Sequence, residues 1–189
     1  MKNIFFTLLL AGASLAQAQV IIGDNAGTAA VKTSVLLEFA QGQNKGIILP
    51  YVRTVPTAPT PGTLLLDASA PDNARVKYYK GGTSPAYVDL SGQGANVTSV
   101  LATQPTATEV TEAANSRTVI STEPYSPSGV PEGVLVLNSA SRAMVLPTVA
   151  DVQDIPRPSP GMMVYVNKSG AKRLAVFNGS KWSFWQPAN

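Results

Sequence analysis

The chain carries one succession of short motifs twice, once in each half. SVLLEFAQGQNKGIILPYV, from Ser34 to Val52, aligns with GVLVLNSASRAMVLPTV, from Gly133 to Val149, once a two-residue gap is opened in the middle. Each copy then runs through a Pro-rich stretch to a Pro-Gly pair, Pro61-Gly62 and Pro160-Gly161. TLLLD (Thr63 to Asp67) and MMVYV (Met162 to Val166) follow, then a polar turn, then RVKYYKGG (Arg75 to Gly82) and RLAVFNGS (Arg173 to Ser180). AYVDL (Ala86 to Leu90) and KWSFW (Lys181 to Trp185) close the copies. Such self-similarity means one supersecondary unit built twice, and a unit that cannot cover its own apolar face must pack on something else.

The local signals in each unit favour strands. The apolar runs are short, rich in β-branched and aromatic residues, and bounded by Gly, Pro, Asn or Ser. Asn178-Gly179 reads as a tight hairpin turn, and Lys80-Gly81-Gly82 holds the same place in copy one. Both copies are therefore expected to be three-stranded antiparallel meanders in an all-β chain. No stretch shows a long amphipathic helical period, and the best helical candidate, Thr108 to Ser116, is short. Residues 93–118 are poor in large apolar side chains and read as a polar linker between module one (19–92) and module two (119–189).

The N-terminus has the three regions of a secretory signal peptide: a basic start at Lys2, an apolar run from Ile4 to about Leu15, and Ala16-Gln17-Ala18 before Gln19. Cleavage is expected after Ala18, giving residues 1–18 as the leader. The apolar run falls short of the roughly 20 residues that a bilayer requires, and no later segment is long and apolar enough to span one. The chain is thus expected to be secreted or at the cell surface, with the periplasm as the fallback. Cysteine is absent, so disulfides and lipidation of an N-terminal cysteine are excluded. The net charge of +3 is scattered, which argues against nucleic acid as a partner. Charged residues make up only 13% of the chain, a surface suited to packing against copies of itself. A small open sheet has free edges and one bare apolar face, so a homo-oligomer is expected.

These motifs resemble a module of secreted and surface proteins of Bacteroidota and of phage tail-fibre-like proteins. Its pattern is K-G-[IL]-[IL]-x-P, then P-G-x-L-x-[YD], then Y-[YF]-[NK]-G-x-x-W. Copy one shows it as Lys45 to Pro50, Pro61 to Asp67 and Tyr78-Tyr79-Lys80-Gly81; copy two has Met144 to Pro147, Pro160 to Tyr165 and Val176 to Gly179 with Trp182. Arg142-Ala143 replaces the Lys-Gly in copy two, and Tyr87 replaces the terminal Trp in copy one. The resemblance implies a fibre or adhesin role and, by analogy, a homotrimer. The chain ends at Asn189 without a sorting domain of the type IX kind, so attachment by that route is not expected.

With neither His nor Cys, there is no Ser-His-Asp triad, no thiol nucleophile and no imidazole or thiolate metal site. Two carboxylate pairs at a spacing of three remain, Glu109 with Glu112 and Asp151 with Asp154, and both read better as solvated charges than as a hydrolytic pair. Asp24 reads as a turn residue, while Lys45 and Lys181 lack apolar enclosure. No catalytic, cofactor or metal site is assigned. The aromatics Tyr165, Trp182, Phe184 and Trp185 gather near the C-terminus. By alternation Trp182 and Phe184 share one strand face and Ser183 and Trp185 the other, so at least one large ring faces outward. Core packing is the first reading of this group, a protein interface the second, glycan stacking the third. The sequence thus supports a secreted, non-enzymatic, self-associating structural or adhesion protein, with carbohydrate binding as the alternative and a hydrolase a distant third.

Overall fold

The computed structural model describes residues 19–57, 59–82, 86–106, 108–111, 113, 116–122 and 133–185. The expected leader 1–18 and Glu112 lie outside the described residues. Strands dominate the rest, and they fall into two series of seven. The first comprises β1 (Val20–Ile22), β2 (Val35–Phe39), β3 (Ile47–Ile48), β4 (Tyr51–Val52), β5 (Leu64–Asp67), β6 (Arg75–Tyr79) and β7 (Tyr87–Asp89). The second comprises β8 (Thr118–Ser121), β9 (Leu135–Asn138), β10 (Ala143–Met144), β11 (Thr148–Val149), β12 (Met162–Val166), β13 (Arg173–Phe177) and β14 (Trp182–Trp185). The chain is all-β, as expected; among the described residues a helical turn at Thr98–Leu101 and a 3-10 turn at Val152–Asp154 interrupt the strands.

The duplication extends to individual hydrogen bonds. In copy one β5, β6 and β7 form the expected antiparallel meander, and β4 adds a parallel strand to β5. Copy two repeats this with β12, β13, β14 and β11. Leu66 N–H donates to Pro50 O at 3.0 Å, and Tyr165 N–H to Pro147 O at 2.9 Å. Gly62 N–H donates to Tyr79 O at 2.7 Å, and Gly161 N–H to Phe177 O at 2.8 Å. The turn before each meander needs a left-handed residue, and Gly62 (φ 93°) and Gly161 (φ 74°) supply it without a Cβ penalty.

The early strands correct the alignment read from sequence. β1 pairs with β2 in parallel with Val20 opposite Leu37, and β8 pairs with β9 in parallel with Thr118 opposite Leu135. Both registers have the same offset, so the backbone phase decides: Ala40 N–H donates to Ile22 O and Thr118 N–H to Val134 O. This turns the backbone groups of Leu36 and Val134 toward the neighbouring strand and those of Leu37 and Leu135 away from it, one residue off the alignment that matched Ser34 with Gly133. The side-chain period of two makes the difference matter, because a shift of one exchanges the faces.

The two copies interlock. β3 of copy one lies antiparallel on β12 of copy two, with Ile47 opposite Met163 and Ile48 opposite Met162. In return β10 of copy two lies parallel on β2 of copy one, where Ala143 and Val145 N–H donate to Ser34 O and Leu37 O at 2.9 and 2.8 Å. Between the meanders sits a shared core of Leu49, Leu66, Val76, Leu90, Met163 and Val176, drawn from both copies. A second cluster of Val149, Ile155, Met162, Val164, Val166 and Ala175 covers the outer face of copy two. Burying each such aliphatic side chain contributes about 1.5–3 kcal/mol.

Part of the stretch read as a linker is held by the fold. Ala95 bridges Ala74, and Ala95, Val97 and Leu101 are buried. The helix considered at Thr108 to Ser116 does not form among its described residues, which are turns and irregular backbone.

Candidate interaction surface

Three of the C-terminal aromatics, Trp182, Phe184 and Trp185, stand on β14, the outer strand of its sheet. The register Phe177 opposite Trp182 and Leu174 opposite Trp185 puts Trp182 and Phe184 on the face of the second cluster, and Ser183 and Trp185 on the face of the shared core. The alternation read from sequence thus describes the strand. Trp182 is half-buried, its ring 5.2 Å from that of Phe177. Tyr79 and Tyr87 make the same cross-strand pair in copy one, with centroids 5.0 Å apart, so Tyr87 fills the place of the missing tryptophan. This position closes the last hairpin of each meander.

Phe184 and Trp185 stay 41% and 44% exposed and look to opposite sides of the sheet. The Arg173 guanidinium lies 4.0 Å from the Phe184 centroid, a cation–π contact that sequence spacing did not flag. Trp185 donates from Nε1 to Leu90 O at 3.2 Å, and the Ser183 hydroxyl donates to Ser91 O, so β14 is fastened to the end of β7. Buried Asn178 adds a bond from Nδ2 to Gln93 O at 2.8 Å, while its Oδ1 accepts from Ser180 and Lys181 N–H and shapes the Asn-Gly hairpin. Tyr165 is half-buried on β12, opposite Leu174, which is in turn opposite Trp185. The four aromatics therefore do not make one platform.

The charged candidates have local roles. Asp151 caps the 3-10 turn, accepting from Gln153 N–H, while Asp154 accepts from Asp151 N–H in a reciprocal box. Lys168 reaches Asp151 at 3.0 Å, and that hydrogen bond is the main reason its carboxyl is lowered from its usual value. Asp24 accepts from Ala26 and Gly27 N–H, as a turn residue does. Lys45 and Lys181 are exposed. An open cleft of about 730 Å³ is lined by Arg53, Thr98, Leu101, Gln104, Pro105 and Glu109. Arg53 is committed to Leu101 O, and Glu109 to the amide and hydroxyl of Thr106.

No helix among the described residues is long and apolar enough to cross a membrane. No curated protein and no solved structure matches the chain. Residues 118–188, which span the whole second series of strands, match the family described as Phage tail like trimerisation region.

Proposed function

We propose that this chain is an exported, fibre-type structural protein that assembles as a homotrimer through its C-terminal half and serves in attachment at or beyond the cell surface. The match of residues 118–188 to a phage tail-like trimerisation region carries the reading. The fold fits it, since copy one repeats the four-stranded meander sheet of the matched half. The leader-like N-terminus and the charge-poor, cysteine-free composition fit an extracellular part. Structural work also fits the commitment of Asp151, Asp154 and Glu109 to local turns.

The test is the mass of the chain from Gln19 onward, measured by light scattering and sedimentation at micromolar concentration. A mass of three chains is expected, and a stable monomer would refute the proposal. Exposed Phe184 and Trp185 motivate the second reading, binding of a glycan. A glycan array on which Trp185→Ala and Phe184→Ala bind as the parent does would remove its basis.

A further inference from the structure

The exchange of strands between the copies is head-to-tail. Under a local two-fold axis β3 and β10 would do equivalent things, yet β3 pairs with β12 while β10 pairs with β2. A heterologous contact of this kind leaves an unused surface at each end, and the two unused surfaces complement each other.

The open end of copy two is β9. In copy one, β2 is flanked on both sides, by β1 and β10, and Leu36 and Leu37 are 0% and 1% exposed. β9 is flanked only by β8 among the described residues. Its corresponding residues, Val134 and Leu135, are 65% and 50% exposed. Apolar side chains on a bare strand edge are a template for pairing with another chain.

The open end of copy one is the far edge of β3. Leu49 N–H donates to Gly161 O at 3.1 Å, so Leu49 and Ile47 present their backbone to β12. Backbone groups alternate along a strand, hence Ile48 N–H faces the other way. The Ile48 side chain is 53% exposed. The corresponding N–H in copy two is that of Val145, which donates to Leu37 O. Leu135 O is the counterpart of that acceptor.

We infer that β3 of one chain adds in parallel to the β9 edge of a second copy of this chain, with Ile47 opposite Leu135 and Ile48 N–H donating to Leu135 O. This repeats between chains the contact that β10 and β2 make within one, and it rests on the self-association proposed above. The reciprocal contact, β10 on the β5 edge, is not part of the assignment. Ala143 stands where copy one has Gly46, and a Cβ there would approach the facing backbone carbonyl, as one on Gly46 would meet Met163 O at 2.8 Å.

The experiment uses the chain from Gln19 with Ile48→Pro, which removes the donor N–H and leaves the edge facing β12 intact, and Leu135→Glu, which charges an exposed position. Val110→Glu, exposed and outside every strand, is the control. Light scattering should show a parent oligomer, an unchanged control, and a shift of both edge variants to the monomer at the same concentration. A cysteine trap tests the contact without relying on how those variants fold, and the absence of native cysteine makes it clean. Ile48→Cys chains mixed with Val136→Cys chains should give a disulfide-linked dimer under mild oxidation, and neither alone should. An oligomer that survives both edge substitutions, or a mixture that forms no mixed disulfide, overturns the strand assignment and leaves self-association standing. A monomeric parent overturns both.

Discussion

Glu38 sits in the middle of β2, fully buried, and ties residues 26–32 to the sheet. Its carboxylate accepts from Thr28 N–H at 2.7 Å, Ala29 N–H at 2.8 Å and the Lys32 ammonium at 2.5 Å, with the Gln19 amide as a further donor. Gly27 passes so close that a Cβ there would overlap the carboxylate. Glu38→Ala strips all these donors of their acceptor. Two amide bonds at about 1 kcal/mol each and one charge-assisted bond at about 1.5–3 kcal/mol lead to an expected loss of about 3–5 kcal/mol, the range typical of a broken buried pair. That is a large share of the roughly 5–15 kcal/mol by which a domain is usually stable.

The same carboxylate predicts a pH dependence. Burial raises its pKa, but the Lys32 ammonium and the Ala29 and Thr28 amides outweigh that, and the net shift is down from 4.5. A carboxyl whose folded pKa lies below its unfolded one binds fewer protons when folded. Its stabilisation is therefore complete above about pH 4.5 and is lost as pH falls through the lower folded value. Urea unfolding followed by the fluorescence of Trp182 and Trp185, taken from neutral pH down into acid past the ordinary carboxyl value of 4.5, reads both effects. Glu38→Ala should unfold at lower urea and show a shallower loss of stability in acid. A cost below about 1 kcal/mol at neutral pH, or an unchanged acid limb, would refute the reasoning.

Two further substitutions probe how the copies fit. Gly46→Val would drive a side chain against Met162 Cγ, Val164 Cγ1 and Met163 O, all within 2.8 Å of the added Cβ, and should cost about 1–3 kcal/mol as overpacking does; a melting temperature equal to the parent's would count against the interlock of β3 and β12. Asp67 and Lys77 form a 2.6 Å ion pair at the positions where copy two has Val166 and Ala175. Lys77→Ala alone leaves the nearly buried carboxylate without its ammonium and should cost about 1–3 kcal/mol, whereas Asp67→Val with Lys77→Ala should recover most of that. Strictly additive costs in a double-mutant cycle would contradict the coupling.

Much of the local structure was readable from residue types. The Pro-Gly pairs, the Asn178-Gly179 turn and the alternating KWSFW segment announce a meander and its faces because turn chemistry and side-chain period act over two to four residues. The equivalence of Tyr87 and Trp182 was visible as a departure from a motif, and the ring pairs with Tyr79 and Phe177 explain why either aromatic serves. The packing of Ala95, Val97 and Leu101 was hidden in a polar stretch, since three small apolar contacts do not change its composition.

The amino-acid sequence by itself determined that one β unit is built twice, where its hairpins turn, and that no His or Cys chemistry is available. Only the tertiary structure decided which strand meets which. β3 and β10 are two residues long, too short for any pattern, and the backbone groups that pair them are the same in every residue. Their partners are chosen by where the shared core brings the two meanders, which is also why the exposure of Val134 and Leu135 at β9 becomes visible only in the folded chain.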